Sequence, residues 1–226
     1  MWYIRNRHIR AFSDAQARLF DRTSANMISV YRILMAFAIP LLVTGGFLAA
    51  AGAVFAIAVY LDFIDGAVAR FQEEDGGFRT PPEAEARLPF LSRLRLKGCT
   101  ETGKWLDPFA DKVLVQTTLF SAGWHALPRE FLWASLALAV SLTLARPFKS
   151  WLKRRNLRKS ADGRANMFGK MKMWVEVATI GLLLMDPAEG LLTEIFFAFA
   201  AMTLMATALG LAALSLIFHL LPARKR

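Results

Sequence analysis

Four aspartates stand inside two long apolar stretches of the chain, where an uncompensated charge is costly. Asp62 and Asp65 are three positions apart, and Asp107 and Asp111 are four positions apart, so each pair projects from one face of a helix. Ionisable residues at membrane depth cost about 2.5–3.5 kcal/mol each and by default mark a functional site. Because the two stretches are neighbours along the chain, we expect the four carboxylates to meet near one membrane surface.

Four carboxylates this close cannot all stay ionised without compensation. Protonation, as in a proton relay, would relieve the repulsion, and so would pairing with cations such as Lys104 and Lys112 or the binding of divalent metals. An all-oxygen set suits hard cations such as Mg²⁺, Mn²⁺ or Ca²⁺. Neither histidine nor cysteine stands beside the pairs, which argues against zinc. The metal interpretation is the one we favour.

The composition indicates which elements carry these aspartates. Of the 226 residues 55% are hydrophobic, yet the net charge is +10, which indicates a membrane protein with a basic, water-facing side and excludes a disordered chain. The sequence predicts an all-α integral membrane fold of six transmembrane helices, at residues 26–46, 47–71, 103–125, 130–148, 172–185 and 191–221. Apolar residues interleaved with arginines predict that residues 1–25 form an amphipathic juxtamembrane helix. The membrane domain is then residues 26–226.

The positive charges predict the orientation. With six spans, all lysines and arginines except Arg129 fall on one side, which is the cytoplasmic side. We therefore expect a multi-pass protein of the cell (inner) membrane with both termini and the active site cytoplasmic. The same rule accounts for the positive charge without nucleic acid as a partner. The basic segment 149–164 is expected to bind anionic headgroups of the bilayer.

The residues around the aspartates resemble a family signature. The first half reads Asp62-x-x-Asp65-Gly66-x-x-Ala69-Arg70, and the second reads Gly103-x-x-x-Asp107-x-x-x-Asp111. This pattern is similar to that of the CDP-alcohol phosphatidyltransferases. A chance match to the five identities of the first half is on the order of one in a million per start position.

The resemblance implies an enzyme that transfers a phosphatidyl group from CDP-diacylglycerol to a small alcohol with release of CMP. It implies that Asp62, Asp65 and Asp107 bind two divalent ions, Mg²⁺ or Mn²⁺, and that Asp111 binds one of them and acts as the general base. It also implies a homodimer. The residues that it places against the CDP part of the donor are Asn26, Ser29, Gly66, Arg70, Thr100 and Gly103.

The acceptor is less closely defined by the sequence. Residues 106–112 read LDPFADK, which resembles the form of phosphatidylglycerophosphate synthases and implies sn-glycerol 3-phosphate. Arg146, Lys170 and Lys172 are then expected to bind the acceptor phosphate. Glu176 departs from the pattern, and its extra carboxylate disfavours a phosphate-bearing acceptor. A cardiolipin-type, inositol-phosphate-type or other alcohol acceptor therefore stays open.

One feature lies outside this pattern. Arg70 and Gly103 are further apart than in the family, and residues 71–99 are expected to form a cytoplasmic loop insertion, largely flexible.

The rival function is a cation- or proton-coupled transporter, which predicts inverted repeats and carboxylates near the midplane. No internal repeat is visible in the sequence. A non-catalytic scaffold is the third possibility, but it would be expected to have lost an aspartate.

Overall fold

The computed structural model describes residues 23–74, 81–98, 100–154, 162–185 and 191–220. These residues are helical, with no strand among them. The helices in chain order are α1 (Ala25–Thr44), α2 (Leu48–Glu74), α3 (Pro82–Ala86), α4 (Phe90–Leu94), α5 (Glu101–Gly123), α6 (Arg129–Arg154), α7 (Asp162–Leu184) and α8 (Leu191–Leu220).

The six long helices overlap the six predicted spans, but several boundaries differ. The spans predicted at 130–148 and 172–185 belong to longer helices, since α6 continues to Arg154 and α7 begins at Asp162. Hydropathy marks only the apolar part of a helix, whereas lysine and arginine are good helix formers and extend it into water. The predicted amphipathic helix falls mostly on residues 1–22, outside the described residues.

Among the described residues, three helices are long and apolar enough to cross a membrane. They are Ala25–Thr44, Leu48–Glu73 and Thr193–Ile217, with mean hydropathies of 1.9, 1.8 and 2.1. Their exposed apolar side chains, such as Leu34, Phe37 and Phe199, suit contact with lipid rather than water. The chain is therefore a membrane protein, and the count of six spans stays a prediction.

The chain divides into two compact units, and the first contains the aspartates. It comprises the described residues up to Leu41 and those of Ala53–Leu114. Ile28 of α1 packs with Leu61, Ile64 and Val68 of α2 in a buried cluster. This packing holds α1 and α2 side by side.

The described part of the predicted loop insertion is not irregular. The α2 helix continues to Glu74, and residues 81–98 contain the short helices α3 and α4. Proline opens α3, where its missing N–H costs nothing. The Arg93 guanidinium donates to the carbonyl oxygens of Ala86 and Leu88 at 2.6 and 2.7 Å and so ties the two helices together. Residues 81–98 thus contain short helices joined by side-chain hydrogen bonds that local composition does not reveal, and the flexibility of the insertion stays a prediction.

The second unit comprises the described residues of Leu42–Gly52 and Val115–Arg226. Within it, α8 packs against both α7 and α6.

Candidate active site

The four aspartates converge in the first unit around one buried arginine. Nη1 of Arg32 lies 3.0 Å from Oδ2 of Asp65 and 2.9 Å from Oδ1 of Asp107. Nη2 is ion-paired with Asp62 and lies 3.9 Å from Oδ1 of Asp111. The i,i+3 pair on α2 and the i,i+4 pair on α5 thus face the same guanidinium, which comes from α1.

Arg32 is the residue of this cluster that the sequence reasoning missed. The charge pattern of the sequence explains it only as one of the positive charges of the predicted cytoplasmic side. Its side chain is completely buried, and a buried cation is stable only when anions compensate it. The signal was present, because an arginine within an apolar helix calls for an acidic partner. Of the expected cations, Lys104 pairs with Glu101 and Lys112 donates to the Pro108 carbonyl.

The carboxylates have the arrangement and charge to hold a metal ion. Asp62, Asp65 and Asp107 each offer an oxygen, and these atoms all lie within 4.8 Å of one another. The guanidinium carries one positive charge against four carboxylates, so Arg32 alone leaves the ionised cluster negative. An all-oxygen, negatively charged site fits a hard divalent cation.

A cleft of about 170 Å³ opens beside the carboxylates. At its wall the Asn26 side-chain amide donates to Oγ1 of Thr100 at 2.9 Å, and that hydroxyl donates back to Oδ1 of Asn26 at 3.1 Å. This pair joins α1 to the start of α5. The residues that line the cleft are Ala25, Asn26, Ser29, Asp65, Gly66, Ala69, Gly98, Thr100, Gly103, Lys104 and Asp107.

The structure brings five of the six expected donor-binding residues to this cleft. The Ser29 hydroxyl donates to the Ala25 carbonyl of its own helix at 3.4 Å. Gly66 leaves room, since a Cβ there would meet only Nη1 of Arg70, at 3.9 Å. Arg70 is the sixth expected residue; it is exposed and lies beside Gly66 one turn along α2.

Gly103 permits the close approach of α5 to Asn26. A Cβ on Gly103 would lie 2.5 Å from Oδ1 of Asn26 and 3.1 Å from Oγ1 of Thr100. Asn26 cannot move away without losing its bonds to Thr100 and to the Arg93 carbonyl. We expect Gly103→Ala to cost about 1–3 kcal/mol of stability through overpacking, measured as the loss of folded protein after heating in detergent.

Gly181 offers a matched control for this substitution. It also lies inside a long helix, α7, but a Cβ there would meet nothing within 4 Å. Gly181→Ala is expected to be neutral or to stabilise the helix by up to about 1 kcal/mol. Equal heat resistance of the two variants would contradict the proposed role of Gly103.

The residues expected to bind the acceptor phosphate belong to the second unit. Lys170 is exposed on α7. Nζ of Lys172 lies 2.7 and 2.8 Å from the two carboxylate oxygens of the buried Glu176, and Oε1 of Glu176 accepts a hydrogen bond from Ser135 at 3.4 Å. The Lys172 charge is thus already compensated within the protein. Arg146 lies in α6, and its side chain is outside the described residues.

Comparison with known proteins gives one match. The family model of the CDP-alcohol phosphatidyltransferases matches residues 22–75 and 93–216. No curated protein and no solved structure matches the chain. The matched residues cover most of the chain and include all four aspartates and Arg32. The chain therefore belongs to the CDP-alcohol phosphatidyltransferase family and is a transferase of substituted phosphate groups, which moves a phosphatidyl group from a CDP-alcohol to an alcohol.

Proposed function

We propose that this enzyme transfers the phosphatidyl group of CDP-diacylglycerol to the hydroxyl of sn-glycerol 3-phosphate, giving phosphatidylglycerophosphate and CMP. The observation that carries the proposal is the convergence of four carboxylates beside the cleft that Asn26, Thr100 and Gly103 line. The negative carboxylates would repel the phosphates of a donor in the neighbouring cleft unless cations lie between the two groups. Two Mg²⁺ or Mn²⁺ ions would supply that charge.

Asp62, Asp65, Asp107 and Asp111 would hold the two ions. Such ions, when bound, neutralise the charge of the two donor phosphates and stabilise in-line displacement. The small residues Gly66 and Gly103 would let the nucleotide approach the backbones of α2 and α5, while Asn26 and Thr100 offer polar contacts to it.

Asp111 is the proposed general base. The acceptor hydroxyl oxygen forms a new bond to the phosphorus that carries the diacylglycerol, and its proton passes to the Asp111 carboxylate. The phosphoanhydride bond breaks, and CMP leaves with that bond's electron pair. Asp111 suits this role because it lies furthest from Arg32 of the four aspartates, with its nearest oxygen 3.9 Å away, and is therefore the least tightly held by the guanidinium.

The choice of acceptor depends on the cations of the second unit. Arg146, Lys170 and Lys172 are the proposed partners of an acceptor phosphate. The Lys172–Glu176 pair favours a second candidate, an acceptor alcohol without a phosphate, because a compensated lysine attracts an anion weakly. Both candidates share the donor, the carboxylate cluster and the leaving group.

The setting of the enzyme is part of the proposal. We propose that both termini and the cleft face the cytoplasm, since the positive charges favour that side, and that the enzyme lies in the cell membrane. There the acyl chains of the donor stay in lipid while the nucleotide enters from water. We also propose that the enzyme is a homodimer and contacts anionic headgroups of the bilayer.

A transfer assay with a panel of acceptors tests this function. Purified enzyme in detergent micelles receives CDP-diacylglycerol labelled in the diacylglycerol part, Mg²⁺, and either sn-glycerol 3-phosphate, glycerol, inositol, inositol phosphate or phosphatidylglycerol. We expect labelled phosphatidylglycerophosphate and no product with EDTA. Faster product formation with an unphosphorylated alcohol would replace the proposed acceptor. No transfer to any acceptor would contradict the proposed reaction.

A further inference from the structure

The helix α3 reaches the first turn of α5 through a buried carboxylate. Glu85 is only 2% exposed. Its Oε2 accepts the Glu101 backbone N–H at 2.8 Å, and its Oε1 accepts the Thr102 backbone N–H at 2.8 Å and the Thr102 hydroxyl at 2.6 Å. The first N–H groups of a helix have no acceptor within the helix, and negative charge is favoured there. Glu85 therefore caps α5 from a distant position in the chain.

Thr100, the residue directly before α5, caps the same turn. Its Oγ1 accepts the Gly103 backbone N–H at 3.0 Å. The N–H groups of residues 101 and 102 are thus bound by Glu85, and that of residue 103 by Thr100. Thr100 and Gly103 line the cleft, and Asp107 follows one turn later. The two caps together fix the turn from which the cleft and the carboxylate cluster are built.

The segment that carries Glu85 is also attached to the start of α1. The Ser24 hydroxyl donates to the Leu94 carbonyl at 2.5 Å, and the Asn26 side-chain amide donates to the Arg93 carbonyl at 3.0 Å. Gln72 of α2 donates to the Thr23 carbonyl at 2.9 Å and accepts the Gly98 N–H at 3.0 Å. The segment is therefore held against the beginnings of α1 and α5.

The family match leaves out residues 76–92, and Glu85 lies within this gap. We propose that Glu85 is a positioning residue for the donor site: it holds the first turn of α5 so that Thr100 and Gly103 face the CDP part of the donor. This inference rests on the proposed function for the identity of the donor. It gives the inserted segment a part in the site, although the general family pattern lacks it.

The charge of Glu85 adds a signature that depends on pH. Burial raises the pKa of this carboxyl group, but the hydrogen bonds from Thr102 and Glu101 and the nearby Arg93 charge outweigh burial and hold the pKa below its ordinary value of 4.5. A carboxyl group with a lowered pKa stabilises the folded state fully above the ordinary value. This contribution is lost as the pH falls through the lowered pKa. The heat resistance of wild type and Glu85→Gln should therefore converge in that acidic range.

Two readouts on the full chain test the proposal, with Glu83→Gln as the matched control. Glu83 is an exposed carboxylate on the same short helix. In Glu85→Gln one of the two acceptor oxygens becomes an NH₂ group, so hydrogen exchange at residues 101 and 102 should speed up about tenfold. The KM for CDP-diacylglycerol should rise about tenfold, with kcat falling less. Glu85→Asp should restore part of the slow hydrogen exchange and part of the low KM.

The outcomes separate this inference from the proposed function. If Glu85→Gln and Glu83→Gln have the same hydrogen-exchange rates and the same KM, the inference is overturned. A fall in kcat at unchanged KM would also overturn it. Hydrogen exchange needs no turnover. If the wild-type enzyme transfers no phosphatidyl group, the proposed function is wrong, while the exchange comparison still supports or overturns the cap.

Discussion

Asp111→Asn is expected to abolish most of the transferase activity while leaving the fold intact. Asparagine has nearly the same shape as aspartate but cannot take the proton of the acceptor hydroxyl. General-base catalysis contributes about 10²–10⁴-fold to a rate, and kcat should fall by that factor. Initial rates at saturating donor, acceptor and Mg²⁺ measure this effect, since saturating Mg²⁺ separates it from weaker metal binding.

Glu194→Gln provides the control for Asp111→Asn. Glu194 is an exposed carboxylate in the first turn of α8, so this variant also loses one negative charge but should keep wild-type kcat. Both variants should resist heating as well as the wild-type protein does. Wild-type kcat in Asp111→Asn would reject Asp111 as the base and direct attention to the other three aspartates.

Arg32→Met is expected to have the largest effect on stability. Methionine fills much of the same space, but four carboxylates lose a cation that lies within ion-pair distance of all of them. Removing one partner of a buried ion pair costs about 3–5 kcal/mol, so the variant should lose its fold on heating at a much lower temperature. Because divalent ions supply positive charge to the same cluster, Mg²⁺ should protect Arg32→Met more than it protects the wild-type protein.

Two further variants make the Arg32 prediction specific. Arg32→Lys keeps one charge but lacks the planar guanidinium that reaches several carboxylates at once. We therefore expect its heat resistance to lie between those of the wild-type protein and Arg32→Met. Arg129→Met removes a cation of the second unit that stacks on the Trp124 ring at 4.9 Å. It should cost only about 0.5–1 kcal/mol. Equal heat resistance of Arg32→Met and Arg129→Met would show that the cluster does not depend on its guanidinium.

The sequence predicts the aspartate cluster directly, whereas it gives only an indirect signal for the central cation. The spacing of Asp62, Asp65, Asp107 and Asp111 follows from helix periodicity, which is a local property. Arg32 lies on another helix, and its role depends on how α1 packs against α2. The positive-inside rule explains an arginine near a predicted cytoplasmic helix end equally well, so the sequence alone does not distinguish a role in topology from a role in the site.

Glu85 illustrates a harder limit. Nothing near it in the chain indicates that its carboxylate binds residues 101 and 102, because the contact depends on how residues 81–98 fold back. Composition rich in proline, glycine and charge predicts a loop and gives no indication of the two short helices in this segment. Helices α3 and α4 are five residues each, too short to be stable without tertiary contacts. Local propensity could not have found them.

The order of the helices has a consequence for biosynthesis. Arg32 lies in α1, whereas the carboxylates that it contacts lie in α2 and α5, so the ribosome makes the cation before any of its anions. An arginine in an inserting segment costs up to about 3.5 kcal/mol, which the apolar residues around it must offset. We therefore expect the nascent α1 to stay at the translocon until Asp62 and Asp65 emerge, and then to enter the bilayer together with α2 as a helical hairpin.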